Sequence, residues 1–170
     1  MLKCIILIRR KSIRSVLNPL RIKIVEGNST LSDLAIQTSV LNSAQVLILE
    51  DEAVTRTALT VLLEYQGAIV VSVGSIREGI QAVESGFQPD LLVSNIRLPD
   101  GNGARVLEAI RQQDMEFGRR TVAIALTGEA IEMIRDDPDS AGFEMYLSKP
   151  YDSGSLLETI ARLMSDRGSE

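Results

Sequence analysis

Residues 45–170 contain two kinds of segment that differ in how their hydrophobic and polar positions are spaced. Short runs of consecutive apolar residues predict buried strands, and longer stretches with an apolar residue every three or four positions predict amphipathic helices. The two kinds alternate strictly, which is typical of βαβ units that build a parallel sheet. The predicted strands are residues 46–49, 68–73, 90–95, 121–126 and 145–148.

The predicted helices connect these strands, and capping or turn residues mark several of their ends. In the first helix, Val54, Ala58, Leu62 and Tyr65 recur at helical spacing until Gly67 ends the pattern. Two Ser-x-x-Glu sequences predict capping boxes at the starts of the second and fifth helices. The later helices are predicted at residues 75–84, 103–112, 129–136 and 155–164, with capping boxes at Ser75–Glu78 and Ser155–Glu158.

Five strand–helix units predict a doubly wound α/β fold, with right-handed crossovers and helices on both faces of a parallel sheet. Of the two common strand orders, 2-1-3-4-5 fits five units. In that order strands 1 and 3 are neighbours where the order reverses, which is where open α/β sheets bind their ligands. Polar residues that end the strands are therefore expected to share one crevice: Glu50, Asp51, Asn95, Thr127 and Lys149.

This set of side chains suits one kind of chemistry. Mg²⁺ is held in proteins by one or two carboxylates, other oxygen ligands and several waters. A lysine and a hydroxyl can neutralise and hydrogen-bond phosphoryl oxygens. Each of these residues taken alone is more often a turn residue, a helix cap or a solvated charge. Their convergence on one rim of the sheet favours a site for Mg²⁺ and a phosphoryl group.

Composition removes several classes of function. The chain has no histidine and a single cysteine, Cys4, which excludes a disulfide framework, cysteine-based metal sites and His-dependent catalysis. Residues 1–44 carry seven Lys/Arg and two Asp/Glu, whereas residues 45–170 carry 11 and 21. The acidic body is expected not to bind nucleic acid, because phosphates would repel it.

The three predicted parts of the chain are a basic extension (1–44), a domain (45–166) and a short tail (167–170). The extension lacks a sustained period and is predicted to be poorly ordered, with a docking arm for an acidic partner or an anionic membrane surface as the alternative. No window reaches the roughly 18 apolar residues of a membrane span, and the N-terminal apolar run is too short for a signal peptide. A cytoplasmic location is expected.

Four motifs, in order and at fitting spacing, resemble the receiver domain of two-component response regulators. They are Val46–Glu52 (VLILEDE), Pro89–Gly101 (PDLLVSNIRLPDG), Ala125–Gly128 (ALTG) and Tyr146–Pro150 (YLSKP). The resemblance implies a flavodoxin-like sheet and a signalling protein, not an enzyme, in a phosphorelay. It also implies partners: a histidine kinase or another signalling protein, and a homodimer through the face of the fourth helix, fifth strand and fifth helix.

The resemblance also implies a role for each residue that matches the motifs. Glu50 and Asp51 would hold Mg²⁺, with the backbone carbonyl of Arg97 completing the metal site. The phosphoryl group would meet the Thr127 hydroxyl and the Lys149 ammonium. Tyr146 would be the aromatic residue that changes rotamer during switching.

Asn95 departs from the family, whose phospho-acceptor at this position is an aspartate. A carboxylate can attack a phosphoryl donor, whereas a neutral amide is a far poorer nucleophile. Asparagine is nearly isosteric and keeps one carbonyl oxygen, so we expect the fold to survive and the affinity for Mg²⁺ to fall. The sequence therefore predicts an atypical receiver domain that acts through protein contacts without aspartyl phosphorylation.

Two alternatives stay open at this point. Asn95 could be an engineered or deamidated form of a native aspartate in a conventional Mg²⁺-dependent phospho-receiver, or phosphorylation could be diverted to another side chain. A DNA-binding regulator would have to use the basic extension, which lacks the pattern of a periodic basic helix. A hydrolase on the same sheet is disfavoured because the central crevice offers no nucleophilic side chain at a strand end.

Overall fold

The computed structural model describes residues 41–131 and 142–167. Most of the extension and of the predicted fourth helix, and the last three residues, lie outside the described residues. The strands are β1 (Gln45–Leu49), β2 (Ile69–Val73), β3 (Leu91–Asn95), β4 (Arg97–Leu98), β5 (Gly101–Asn102), β6 (Val122–Thr127) and β7 (Met145–Ser148). The helices are α1 (Ala53–Tyr65), α2 (Ile76–Glu84), α3 (Ala104–Phe117) and α4 (Ser153–Arg167).

Five strands form one parallel sheet in the order β2-β1-β3-β6-β7. This confirms the predicted order 2-1-3-4-5 and places β1 beside β3. The register pairs Leu49 with Ser94 and Asn95 with Leu126, so the ends of β1, β3 and β6 lie at one edge of the sheet. β4 and β5 form a separate antiparallel pair in the loop after β3, which the sequence did not predict.

The core has two layers because successive strand residues point to opposite faces of the sheet. In β1, Leu47 and Leu49 pack in the layer under α2 and α3, while Val46 and Ile48 pack in the layer under α1 and α4. All four side chains are fully buried. A strand covered on both faces explains the uninterrupted apolar run in the sequence.

Helix α1 buries a different face from the one that predicted it. The buried residues are Leu59 and Leu63, while Val54 and Tyr65, two of the residues whose spacing indicated the helix, are exposed. The helix contains apolar residues on both sides, so its periodicity alone does not select the side that packs on the sheet. Its existence was predicted correctly and its outward face was not.

The ends of two later helices also differ from the prediction. Helix α3 continues to Phe117, five residues beyond the predicted end, and stops at Gly118, which adopts a left-handed conformation with φ of 62°. Helix α4 begins at Ser153 instead of Ser155, because the Asp152 carboxylate accepts hydrogen bonds from the N–H groups of Gly154 and Ser155 at 2.8 and 3.1 Å.

The predicted capping box of the second helix is half present. The Ser75 hydroxyl accepts a hydrogen bond from the Glu78 N–H at 3.2 Å, as predicted. The Glu78 carboxylate instead accepts from the Gly74 N–H at 2.8 Å. The Asp100 carboxylate also accepts from the N–H groups of Ile76 and Arg77, which ties the loop after β3 to the start of α2.

Ion pairs brace the amino end of the sheet, opposite the predicted crevice. Asp90, just before β3, pairs with Arg119 and Arg167, both at 3.0 Å, and its second oxygen accepts from the Gln45 N–H at 2.9 Å. Arg167 belongs to α4 and makes these contacts although the sequence placed it in the tail. The end of the last helix is thereby tied to the start of β1.

A second network lies at the same end of the sheet. Arg111 pairs with Asp114 at 3.1 Å and with Glu144 at 2.9 Å. The buried Asp114 accepts hydrogen bonds from both the N–H and the hydroxyl of Thr121. The Glu144 carboxylate accepts from the Ala123 N–H at 2.7 Å.

The described residues begin before the predicted domain start. Leu41, on the N-terminal side of that start, is fully buried in the layer under α1 and α4. Its N–H donates to the Gln66 carbonyl at 3.3 Å, and the Ser43 N–H donates to the Gly67 carbonyl at 2.9 Å. Among the described residues, no helix has the length and hydropathy needed to cross a membrane.

Candidate functional site

The acidic end of β1 is held in place by its own loop. Glu50 is 1% exposed, and its backbone N–H donates to the Val73 carbonyl of β2 at 3.1 Å. The Arg56 guanidinium donates to the carbonyls of Glu50 and Asp51 at 2.7 and 3.2 Å. These contacts fix the backbone that carries the two carboxylates.

Glu52, the third acidic residue of the run, has a structural role. Its carboxylate accepts hydrogen bonds from the N–H groups of Val54 and Thr55 at 3.0 and 2.6 Å and so caps helix α1. Hydrogen bonds from Thr55, and then from Val54, lower the pKa of the Glu52 carboxyl below its ordinary value. Glu52 therefore belongs to the helix start, whereas Glu50 and Asp51 face β3.

Asn95 joins the acidic pair through its amide. Its Nδ2 donates to Glu50 Oε1 at 3.2 Å and to Asp51 Oδ1 at 3.0 Å. Ionised carboxylates can only accept hydrogen bonds, so they select the orientation in which the amide NH₂ group faces them and its oxygen points away. An aspartate at this position would bring a third negative charge to the same place.

Lys149 reaches the same carboxylate from the other side of the sheet. Its Nζ lies 2.5 Å from Glu50 Oε2, and its backbone N–H donates to the Thr127 carbonyl at 2.6 Å. The peptide bond between Lys149 and Pro150 is cis. Glu50 accepts in addition from the Glu52 N–H at 3.2 Å, so the buried carboxylate has a cation and two further donors.

Thr127 and Tyr146 lie on the neighbouring strands but make no described contact with the acidic pair. Thr127 ends β6, is 2% exposed, and its hydroxyl accepts from the Glu129 N–H at 3.0 Å. Tyr146 lies in β7, half-buried, with its ring 5.9 Å from that of Phe143 in an edge-to-face contact. The Arg97 side chain pairs with Glu129 at 3.2 Å.

Two residues near the site were missed by the sequence reasoning. Arg56 was hidden in the helical pattern of α1, and nothing in its spacing marks its contact with the carbonyls of Glu50 and Asp51. Tyr151 follows the cis proline, and burial, followed by the nearby Glu50 charge, raises the pKa of its phenol. Its position two residues after Lys149 was the one available signal.

A close approach of backbones supports Asn95 from below. A Cβ atom on Gly103 would lie 2.1 Å from the Asn95 carbonyl oxygen and 2.5 Å from Ser94 Oγ. Gly103 has an ordinary helical φ of −60°, so the glycine is required by space and not by conformation. The start of α3 can therefore pack directly against the end of β3.

The site as a whole is balanced differently from a three-carboxylate metal site. Two carboxylates face one ammonium and one amide NH₂ group, all within hydrogen-bond distance. Within the described ranges, no group of three or more His, Cys, Asp or Glu side chains could hold a metal ion. Asn95 is the reason, since it occupies the place of the third carboxylate.

Comparison with known proteins decides the family. The family model for the response regulator receiver domain matches residues 46–161, more than half of the chain. The chain belongs to the response regulator receiver domain family. Receiver domains are signalling modules of two-component systems and not enzymes, and they bind Mg²⁺ in their active sites.

Among curated relatives, two illustrate the range of proteins that contain this receiver domain. An uncharacterized 14.6 kDa protein of Leptolyngbya boryana is 32% identical over 120 residues, covering 71% of the chain and 89% of that protein. The KDP operon transcriptional regulatory protein KdpE of Escherichia coli is 32% identical over 111 residues, covering 65% of the chain. The chain matches only 47% of KdpE's length.

A solved structure agrees with the fold and contains the metal. The receiver domain of sensor histidine kinase PA1611 from Pseudomonas aeruginosa is 29% identical, with a TM-score of 0.63, and covers 72% of this chain and 98% of its own. That domain was crystallised with a magnesium ion coordinated in its active site cleft.

Proposed function

We propose that this receiver domain is an atypical, cytoplasmic signalling module that acts through protein contacts and does not depend on aspartyl phosphorylation. The observation that carries this proposal is the orientation of the Asn95 amide. Its NH₂ group donates to Glu50 and Asp51, the two carboxylates that would otherwise need a cation. An amide held in this way offers no carboxylate oxygen to a phosphoryl donor.

The Lys149 contact supports the same conclusion. Its ammonium lies 2.5 Å from the buried Glu50 carboxylate, so this pair already provides the charge compensation that burial requires. A phosphoryl group would have to compete with Glu50 for the lysine. The site is thus assembled with its charges paired inside the protein.

Mg²⁺ fits the remaining ligands with reduced affinity. Glu50 and Asp51 would hold it through carboxylate oxygens, and the backbone carbonyl of Arg97 is the third protein ligand that we propose. The amide NH₂ group of Asn95 would have to turn away before its oxygen could join them. When bound, the ion would supply positive charge beside the crevice, and Thr127, Lys149 and Tyr146 would keep their proposed phosphoryl-coordinating and switching roles.

Protein partners would carry the signal. We propose a histidine kinase or another signalling protein as the partner, and the resemblance adds a homodimer through the face formed by the fourth predicted helix, β7 and α4. Kinases and transcriptional regulators both occur among the proteins that contain this domain, which supports the class of partner but not a particular one.

The test is intact-mass analysis after incubation with Mg²⁺ and a small phosphodonor. We expect the wild-type chain to keep its mass and the Asn95→Asp variant to gain the mass of one phosphoryl group. A stable phosphorylated species on the wild-type chain would overturn the proposal. Failure of the variant as well would mean that the crevice cannot perform the transfer even with the carboxylate restored.

The retained acidic pair and Lys149 favour one second candidate, a conventional phospho-receiver in which residue 95 is natively aspartate. Peptide mapping of residue 95 in protein isolated from its source distinguishes the two, because it reads an aspartate or an asparagine directly. An aspartate there, together with phosphorylation on that peptide, would establish the second candidate.

A further inference from the structure

The outward side of helix α1 is a continuous apolar strip. We call the residues Val54, Ala58, Val61 and Tyr65 the α1 seam. Val54, Val61 and Tyr65 are 74%, 61% and 79% exposed. Together with Thr57, Leu62 and Ser153 they line a shallow, mostly apolar depression of about 920 Å³. An exposed apolar strip of this kind marks a contact surface in a soluble protein.

The spacing of the α1 seam fits another helix. Its residues follow one another at intervals of four, three and four, which is the d-a-d-a spacing of a coiled-coil contact. The opposite side of the helix is already used, because Leu59 and Leu63 are buried under it. Arg56 is also directed away from the seam, toward the carbonyls of Glu50 and Asp51.

We propose that the α1 seam binds the α1 seam of a second copy of this chain, with the two helices antiparallel about a two-fold axis between Ala58 and Val61. In this arrangement Val54 of one copy faces Tyr65 of the other, and Ala58 faces Val61. A larger side chain thus meets a smaller one at each level, as close packing requires. A two-fold contact between identical patches is also the commonest kind of homo-oligomer interface.

Charge selects the antiparallel direction. The seam itself is uncharged, and Glu64 beside its C-terminal end is the nearest acidic residue of the helix. A parallel pair would put the two Glu64 side chains side by side, whereas the antiparallel pair separates them to opposite ends. The antiparallel pair also places each helix N-terminus near the C-terminus of its partner, which the helix dipoles favour.

The face implied by the family resemblance offers less apolar surface. Of the described residues in β7 and α4, the large hydrophobic side chains are buried or half-buried, including Leu156, Leu163 and Met164. The large hydrophobic residues with the highest exposure lie on α1 and on the end of α3. Self-association through α1 therefore covers more exposed apolar surface, and it is independent of the chemistry at Asn95.

The contact area sets the expected strength. A 13-residue helix is about 20 Å long, so two crossing helices bury less than the roughly 1,200 Å² of a stable interface. We expect a weak dimer that forms as concentration rises. Residues 45–170 carry 11 basic and 21 acidic residues, so moderate salt should strengthen the dimer by screening the repulsion between the two bodies.

The test is sedimentation velocity of the full chain from micromolar to millimolar concentration, using Val61→Glu and Val61→Lys. Across the proposed axis the two copies of residue 61 lie about 4.5 Å apart along the helix direction. Each variant alone should therefore be monomeric, and a one-to-one mixture of the two should associate. Met115→Glu and Met115→Lys make the same changes at a position that is 78% exposed on another helix, and should associate like the wild type.

Three results would overturn the proposal. The first is a wild-type chain that stays monomeric to millimolar concentration. The second is Val61 variants that associate as well as the Met115 variants do. The third is a mixture of the Val61 variants that stays monomeric, which would mean that the seam faces something other than a second seam. Circular dichroism of each variant checks that the fold is intact.

Discussion

Replacing Asn95 by aspartate changes the charge balance of the site without changing its shape. The amide donates to Glu50 at 3.2 Å and to Asp51 at 3.0 Å, and both hydrogen bonds are lost in the variant. The new carboxylate faces two others at these distances. Lys149 offsets part of the added charge because its ammonium is already 2.5 Å from Glu50.

The magnitude follows from these contacts. A hydrogen bond to a charged group contributes about 1.5–3 kcal/mol, and a like-charge pair 4 Å apart costs about 1–4 kcal/mol between water and a partly screened site. Asp51 is exposed and Lys149 is near, so we expect a net loss of about 2–4 kcal/mol in the free energy of unfolding without metal. For a domain of this size that lowers Tm by about 8–16 °C.

Thermal unfolding with EDTA and with excess Mg²⁺ measures both parts of the effect. The Tm of Asn95→Asp should fall in EDTA and recover with Mg²⁺, since a ligand at 100 times its Kd adds about 2.7 kcal/mol. The Tm of the wild type should respond much less to the metal. Asn102→Asp is the matched control, because Asn102 caps Ala104 through its side-chain oxygen, which an aspartate keeps.

Two outcomes would refute this account of the site. One is an Asn95→Asp variant that is as stable as the wild type in EDTA, which would show that the amide does not relieve repulsion between the carboxylates. The other is a wild-type Tm that rises with Mg²⁺ as much as that of the variant. In that case the amide would be no obstacle to the metal.

Three further substitutions or conditions test other contacts. Lys149→Met should cost about 2–4 kcal/mol in urea unfolding, less than a fully buried pair because Lys149 is 29% exposed, and an unchanged midpoint would contradict the pairing. Gly103→Ala should cost about 1–3 kcal/mol because its Cβ meets backbone, whereas Gly128→Ala, with open space around it, should be near neutral; equal effects would argue against the close approach. Hydrogen bonds from Thr55 and from Ser155 lower the pKa values of the Glu52 and Asp152 carboxyls below 4.5 and 3.8. A depressed pKa adds stability that is present above the unfolded-state value and lost as pH falls through the folded-state value, so the urea midpoint should drop below about pH 4.5, and Glu52→Gln should flatten this drop.

The sheet could be predicted from the sequence because its strands are covered on both faces. Such strands read as uninterrupted apolar runs, and strict alternation with helices leaves few possible strand orders. The neighbourhood of Glu50 and Asn95 followed from that order, since it brings the ends of β1 and β3 together. The positions of the site residues were therefore consequences of topology.

The outward face of α1 could not be predicted for a physical reason. The helix has apolar residues on two sides, and either Leu59 with Leu63 or Val54 with Ala58 makes a stripe at helical spacing. Only packing against the sheet decides between them. The side that was left out of the core is the α1 seam.

Helix ends were the other difference, because more than one residue can satisfy a free N–H group. Asp152 and Ser155 are both good caps, and the sequence offers no way to rank them. The long-range contact of Arg56 with the β1–α1 loop was equally invisible, since it depends on where the side chain points after the helix has docked.

The braced amino end of the sheet has a consequence for hydrogen exchange. The amide hydrogens of Gln45, Thr121 and Ala123 are each held by a side-chain carboxylate that is itself paired with arginine. Opening any of them separately would break an ion-pair network as well as a strand, so they should exchange with solvent only when the whole domain unfolds. Deuterium uptake at these three amides therefore reports the global stability of the domain, even when the chemistry at the opposite end of the sheet has been altered.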